Sequence, residues 1–274
     1  MKRRFVMSLF LLVTILNGFA AKVDTIRVFS DAMKKEFSSV VVTPDRYTAS
    51  KPLPVVYILH GYSDSYKNGW ISKIKDIQQY ADLYQMILVM PDGGFSSWYY
   101  DSPVDSSFRY ESYICKELIP YVDKHFATIK SRTGRAITGN SMGGHGALYL
   151  SILHQDLFGA AGSTSGGVDI RPFPGNWDLS KRLGTIEEHP ENWEKYTVTN
   201  MTHLLKGDSL AIIFDCGSSD FFYKVNCEFH QKLLDLNIPH DFISRPGAHN
   251  WEYWTNALRY QMVYFNTYFK AKNK

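Results

Sequence analysis

The sequence predicts an α/β architecture, a mostly parallel central sheet covered by helices on both faces. Three observations carry that expectation. The runs VVYILH (55–60), MILVMPD (86–92) and LAIIFDCG (210–217) are apolar almost throughout, as strands buried on both faces are. Segments with apolar residues at helical spacing separate them, and such alternation marks parallel βα units. No internal repeat or low-complexity stretch breaks the pattern.

In chain order, TIRVFS (25–30) and EFSSVVVTP (36–44) read as strands from their short alternations and β-branched runs, with Pro44 closing the second. VVYILH follows and ends in the turn-forming HGYSD. Ile71, Ile74, Ile77, Tyr80, Ala81 and Tyr84 then recur at helical spacing over Trp70–Tyr84. After MILVMPD comes a Gly, Ser and aromatic loop, GGFSSWYYDSPVDSS. Residues 110–126 suit a helix that Pro120 bends or divides. RAITG (135–139) is a short strand, GGHGALYLSILHQ (143–155) a helix, and AAGSTSG (160–166) a strand running into a loop. Residues 167–205, rich in Pro, Gly, Trp and charge, read as a loop-rich excursion with at most short helices. LAIIFDCG is again a buried strand, 220–237 a helix, HDFISRPG (240–247) a last strand and loop, and 249–269 a long amphipathic helix.

Residues 1–20 contain Lys2, Arg3 and Arg4, no acid, a largely apolar run from Phe5 to Leu16, then Gly18, Ala20 and Ala21. That is the order of an export signal, with cleavage expected after Ala20 or Ala21. The apolar run is too short to span a bilayer, which takes roughly 20 residues. The expected mature chain, 21–274, is then a single domain, secreted or periplasmic, with no stable membrane insertion. The formal charge of +3 rests on 30 basic against 27 acidic residues. Three of the basic ones lie in the leader, so the remainder is balanced. No long Lys/Arg run remains to grip nucleic acid. Cys115, Cys216 and Cys227 are odd in number; Cys216–Cys227 is a candidate bridge in an oxidising compartment, with unpaired buried thiols as the alternative. The scattered histidines and cysteines fit no metal spacing, and no cofactor is expected.

The sharpest signal is GNSMGG, residues 139–144, entered directly from strand RAITG and left directly by a helix. A strand–serine–helix turn lifts the serine hydroxyl onto a strained corner. Gly139 and Gly143 allow strand and helix to approach, and the Met142 N–H at the helix start is suited to an oxyanion. A serine nucleophile needs a base and an orienting acid. His249, in a loop after a strand and just before a helix, is the expected base. His240 leads into the strand instead, and His145, four residues past the serine, reads as a packing residue. For the acid, Asp220 in the loop beyond the strand is favoured over Asp215 inside the strand end. The second oxyanion donor should come from the turn after VVYIL, where Gly61 and Tyr62 offer N–H groups. Tyr62 is favoured, with His60 and Gly61 shaping the turn.

The segments HGYSDSYKNGW, VMPDGGFSSWYYDSP, RYESYICKELIPYVDKHF, TGNSMGGHGALYLSILHQDLFGAAGSTSG, FDCGSSDFF and PGAHNWEYW resemble the putative-esterase family of α/β-hydrolases. That family includes S-formylglutathione hydrolase (esterase D), the antigen 85 mycolyltransferases, and the feruloyl and acetylxylan esterases of carbohydrate esterase family 1. The resemblance covers about residues 25–270. It implies an α/β-hydrolase fold, Ser141 as nucleophile, His249 as base, Asp220 as acid, an oxyanion hole from Met142 and Tyr62, and no catalytic metal. The combination with an export leader points to acetyl or feruloyl esters of plant polysaccharides such as xylan. The same groups would serve a general short-chain carboxylesterase, an S-formylglutathione-type thioesterase or an acyltransferase, and a non-catalytic carbohydrate-binding relative would keep only the fold. Of six tryptophans, Trp98, Trp177, Trp193 and Trp251 lie in regions expected to surround the site, with Trp98, Trp177 and Trp251 expected to bind substrate, while Trp70 and Trp254 fall in helical periods and read as packing.

Overall fold

The computed structural model describes residues 20–207 and 209–273; the expected leader lies, apart from Ala20, outside the described residues. Eight strands form one sheet: β1 (Lys22–Ser30), β2 (Lys35–Thr43), β3 (Val55–Leu59), β4 (Ile87–Pro91), β5 (Arg135–Gly139), β6 (Ala160–Thr164), β7 (Ala211–Gly217) and β8 (Asp241–Arg245). Their spatial order is β1-β2-β4-β3-β5-β6-β7-β8. The β1–β2 and β2–β4 pairs are antiparallel and all the others parallel. The chain leaves β3 for β4 on one side and then crosses back to β5 on the other. β3 and β5 therefore flank a topological switch point, where the carboxyl ends of strands diverge and leave a crevice.

Every residue of β3, β4, β5 and β6 is buried, which is why these segments carry no polar alternation. Successive side chains supply opposite faces. Val55, Tyr57 and Leu59 enter one core with Ile87 and Val89, while Val56 and Ile58 enter a second with Leu88 and Met90.

Helices α1 (Trp70–Lys73) and α2 (Ile77–Tyr84) cover the second face, where one continuous helix was expected over Trp70–Tyr84. Ile74 is extended (φ −110°, ψ 97°) and breaks it. The break lets Trp70 donate its indole N–H to the Leu59 carbonyl at 2.8 Å while Ile77 and Ala81 still reach the core. Further on, α3 (Tyr110–Ser112), a π-helical turn (Tyr113–Leu118) and α4 (Ile119–His125) run on continuously. Pro120 sits at the start of α4, directly after the π turn, and the Ile119 N–H reaches back five residues to the Ile114 carbonyl. The wider turn accommodates a residue that has no N–H and whose ring crowds the preceding turn.

Helix α5 (Met142–Leu153) is buried from Met142 through Ile152. One side meets the sheet and the other meets the excursion, which folds as α6 (Leu179–Leu183), α7 (Pro190–Lys195) and a 3-10 turn (Val198–Leu204). Arg182 ties this excursion to the loop after β4. Its guanidinium donates to Asp105 at 2.7 Å, lies 3.4 Å from the Phe108 ring centroid, and its carbonyl accepts from Ser102 at 2.6 Å. Helices α8 (Tyr223–Asp235) and α9 (Trp251–Lys272) complete the chain. Helix α9 buries Trp254, Ala257, Leu258, Gln261, Met262, Phe265 and Phe269 on one stripe against the second core face.

Among the described residues no helix is long and apolar enough to cross a membrane. All three cysteines are free, with Cys115 and Cys216 buried.

Candidate active site

The turn between β5 and α5 is tight at atomic scale. Ser141 adopts φ 55°, ψ −118°, a region that non-glycine residues rarely occupy and that costs about 1–3 kcal/mol. The surroundings hold it there. Its N–H donates to the Thr164 carbonyl of β6 at 2.9 Å, and the Gly143 N–H donates to the Asn140 carbonyl at 2.7 Å. A Cβ on Gly139 would stand 2.6 Å from Gly143 and Leu59 backbone atoms, and one on Gly143 would stand 2.4 Å from the Leu59 oxygen. Glycine at these two positions is thus a condition for helix and strands to meet.

His249 and Asp220 reach Ser141 from two neighbouring loops. Beyond β7 and β8 these loops are joined by backbone bonds, Ser218 N–H to the Arg245 carbonyl and Ser219 N–H to the Gly247 carbonyl, both at 2.9 Å. Asp220 is buried, and one carboxylate oxygen accepts from the Phe222 N–H at 2.8 Å. Its two oxygens lie 3.0 and 2.9 Å from His249 Nδ1, and His249 Nε2 lies 2.9 Å from Ser141 Oγ. A carboxylate only accepts, so Nδ1 carries the proton and Nε2 is left to accept from the serine hydroxyl. Asn250 caps α9 by accepting the Tyr253 N–H at 3.0 Å, which holds His249 just outside the helix. The imidazole packs against Phe221 (4.1 Å between centroids) and the edge of Trp254 (4.9 Å).

Asp215 does not approach His249 in this way. It is fully buried in β7, accepts from Gln261 of α9 at 2.8 Å and Thr164 at 3.2 Å, and faces Arg245 at 3.8 Å. Burial pushes its carboxyl up to about 7. His240 is likewise remote, hydrogen-bonded to His230 at 2.7 Å. His145 is buried between Trp98, Tyr100 and Tyr149, its Nδ1 3.0 Å from the Gly167 carbonyl, and burial lowers its imidazole to about 4.

The turn after β3 faces the serine. Gly61, Tyr62, Ser63 and Asp64 line a cleft of about 430 Å³ with Ser141, Trp177, Phe221, His249, Asn250, Trp251 and Trp254. His60 is buried beneath it. The Gly93 N–H donates to His60 Nε2 at 2.7 Å, which leaves Nδ1–H to donate to the Gly61 carbonyl at 2.8 Å. The Asp64 N–H donates to the same carbonyl at 3.3 Å. In a planar trans peptide the N–H points opposite to the C=O, so the Tyr62 N–H is turned away from His60. The Tyr62 ring packs on Phe95 at 4.4 Å. At the start of α5, Met142 presents its N–H from the first helical position, where no intrahelical acceptor exists.

Trp177 and Trp251 line the cleft, but Trp98 and Trp193 do not. Trp193 is buried within the excursion and donates its indole N–H to the Gly184 carbonyl at 3.1 Å. Trp98 is 1% exposed, packs on His145, and donates its indole N–H to the Trp177 carbonyl at 3.2 Å. Its aromatic mass fills the gap beneath the excursion, and it supports Trp177 from behind. Phe221 was not anticipated; it stacks on Trp177 at 5.3 Å, and its position directly after Asp220 was the available signal. Among the described residues no three or more His, Cys, Asp or Glu side chains are grouped to hold a metal ion.

The mostly parallel sheet, with a serine on the turn after β5, defines an α/β-hydrolase. The chain belongs to the family described as "Putative esterase", whose model matches residues 30–265. It is 30% identical over 239 residues to Esterase Rv1288 of Mycobacterium tuberculosis (strain ATCC 25618 / H37Rv), which covers 76% of this chain and 51% of that protein. The chain thus spans about half the length of that curated relative. It is also similar to S-formylglutathione hydrolase of Arabidopsis thaliana, at 24% identity over 80% of this chain and 83% of the relative. Among solved structures, a ferulic acid esterase superposes with a TM-score of 0.79 at 29% identity, covering 92% of this chain and 100% of that one.

Proposed function

We propose that this protein is an exported serine carboxylesterase in which Ser141 is the nucleophile, His249 the general base and Asp220 the acid that orients it. The observation that carries this reading is the unbroken relay from Asp220 through Nδ1 and Nε2 of His249 to Ser141 Oγ, at the wall of a cleft. His249 takes the serine proton as Oγ attacks the ester carbonyl. The N–H groups of Met142 and Tyr62 receive the charge on the carbonyl oxygen. Asp220 holds the imidazole tautomer and stabilises its cation. Collapse returns the proton to the leaving alcohol and leaves an acyl-enzyme on Ser141. Water, activated by His249, releases the acid by the reverse path.

The substrates we propose are acetyl or feruloyl esters of plant polysaccharides such as xylan. Support comes from the aromatic lining of the cleft, Trp177, Phe221 and Trp251, from the likeness to a ferulic acid esterase, and from the leader-like residues 1–20. A second reading, hydrolysis of S-formylglutathione-type thioesters, draws on the Arabidopsis relative. One panel separates these readings: acetylated xylan, methyl ferulate, S-formylglutathione and p-nitrophenyl esters of increasing chain length. The proposal expects turnover of the first two and a decline with aliphatic length. Preference for long aliphatic esters, or for the thioester, would overturn it.

A further inference from the structure

The cleft carries a carboxylate for which the proposed chemistry has no use. Asp64 is half-buried, two residues past Tyr62, and lines the same cleft as Ser141, Trp177, Phe221 and Trp251. A Cβ built on Gly61 would lie 3.5 Å from Asp64 Oδ2 and 3.6 Å from Ser141 Cβ, so the carboxylate oxygen lies within about 7 Å of Ser141 Cβ. Among the described residues no side chain donates to it, and no cation comes within ion-pairing distance. The Gly61 backbone, His60 and Lys73 each draw its carboxyl down only weakly against burial. Burial raises its carboxyl above the usual range. Asp178, the residue after Trp177, is different: Lys181 pairs with it at 3.0 Å.

An ionised carboxylate offers only acceptors, and hydroxyl donors satisfy it with short, charge-assisted bonds. The aromatic side chains lining the same cleft provide a surface for the carbon skeleton that carries those hydroxyls. A second negative charge in the same half-buried cleft is repelled.

We propose that Asp64 is a specificity-determining residue: it accepts hydrogen bonds from free hydroxyl groups on the alcohol part of the ester, and it excludes alcohols bearing negative charge. This inference rests on the esterase reading above. It adds a selection rule that the relay alone does not contain.

Two matched pairs of acetates test it, in the full chain and in Asp64→Asn. The first pair is glycerol monoacetate against propyl acetate; the second is methyl 4-acetoxybenzoate against anionic 4-acetoxybenzoate. The wild type should favour glycerol monoacetate roughly tenfold in kcat/KM, mainly through KM, as expected for hydrogen bonds to a charged group. It should favour the neutral benzoate ester about fivefold, a gap that narrows in high salt because the charges are partly exposed. Asp64→Asn should bring both ratios towards one. The salt series uses unaltered protein, so it reports even where the variant folds poorly. Ratios unmoved by Asp64→Asn, or a salt-independent gap, would overturn the inference while leaving the esterase reading intact. Faster turnover of cationic O-acetylcholine than of glycerol monoacetate would overturn the hydroxyl preference. No hydrolysis of any of the four acetates by wild type would remove the esterase reading and this inference together.

Discussion

In the proposed mechanism His60 and Asp220 have the same task at two sides of one serine: each holds a group that another residue would use. Through Nδ1–H, His60 fixes the Gly61 carbonyl and so the direction of the Tyr62 N–H; through its carboxylate, Asp220 fixes the tautomer of His249. Replacing His60 by Phe keeps bulk but frees that peptide. We expect kcat for p-nitrophenyl acetate to fall roughly 10²-fold with KM little changed, the size of losing one oxyanion donor. A rise in KM at constant kcat would contradict it. Asp220→Asn should lower kcat by about 10⁴ through the wrong imidazole tautomer, while the thermal melt stays close to wild type; a loss of only a few fold would count against Asp220 as the orienting acid. At this scale the grouping of Ser141, His249 and Asp220 was legible because each sits beside a turn that the local sequence announces: GNSMGG, RPGAHN and CGSSD. The aromatic wall was less so. Trp98 and Trp177 both lie in loops without periodicity, and only the packing of the excursion on α5 decides that one is buried and the other lines the cleft. Phe221, marked only by its place directly after Asp220, and Asp64 carry no periodic pattern, since an exposed aromatic and a loop carboxylate are ordinary surface residues until a cleft forms around them.

Among the elements, α5 and α9 bear on the site from opposite faces of the sheet. Gly143→Ala puts a methyl 2.4 Å from the Leu59 backbone oxygen, which has no flexible side chain to give way. The helix start must shift, so we expect loss of activity together with a clear drop in Tm; a variant of unchanged Tm and kcat would show that the turn yields easily. On α9, Phe265 is fully buried against the second core face, and Phe265→Ala should destabilise by about 3–5 kcal/mol in urea unfolding. The strands and the two long helices α8 and α9 could be read from periodicity because burial on both faces, or on one stripe, writes directly into the sequence. The interruption at Ile74 could not. The helical period runs through it unchanged, and the break goes together with the Trp70 bond to the Leu59 carbonyl at the sheet end. Pro120 suggested a bend, whereas a π turn ahead of it lets the helix continue.

Over the whole molecule, the switch point between β3 and β5 gathers the Gly61–Tyr62 turn, Ser141 and the loops of Asp220 and His249 at one end of the sheet. The packing that does this also buries two titratable groups whose effects oppose each other. His145 is held down to about 4 from an ordinary 6.5, so its contribution to stability is present above pH 6.5 and is lost as pH falls towards 4. Asp215 is held up at about 7 from an ordinary 3.8, so its contribution is present below pH 3.8 and is lost as pH rises through 7. Asp215→Asn removes only the second. Its Tm relative to wild type should therefore climb as pH increases from 4 to 7, by calorimetry in matched buffers; a constant difference would mean that Asp215 does not change charge there. The central claim, that Ser141 forms an acyl-enzyme, has a more direct test. Rapid mixing with p-nitrophenyl acetate should release a burst of p-nitrophenol close to one per protein, accompanied by an acetyl mass increase on the peptide holding Ser141, and Ser141→Ala should show neither. Turnover by Ser141→Ala at the wild-type rate, or an acetyl group found on another residue, would contradict the account.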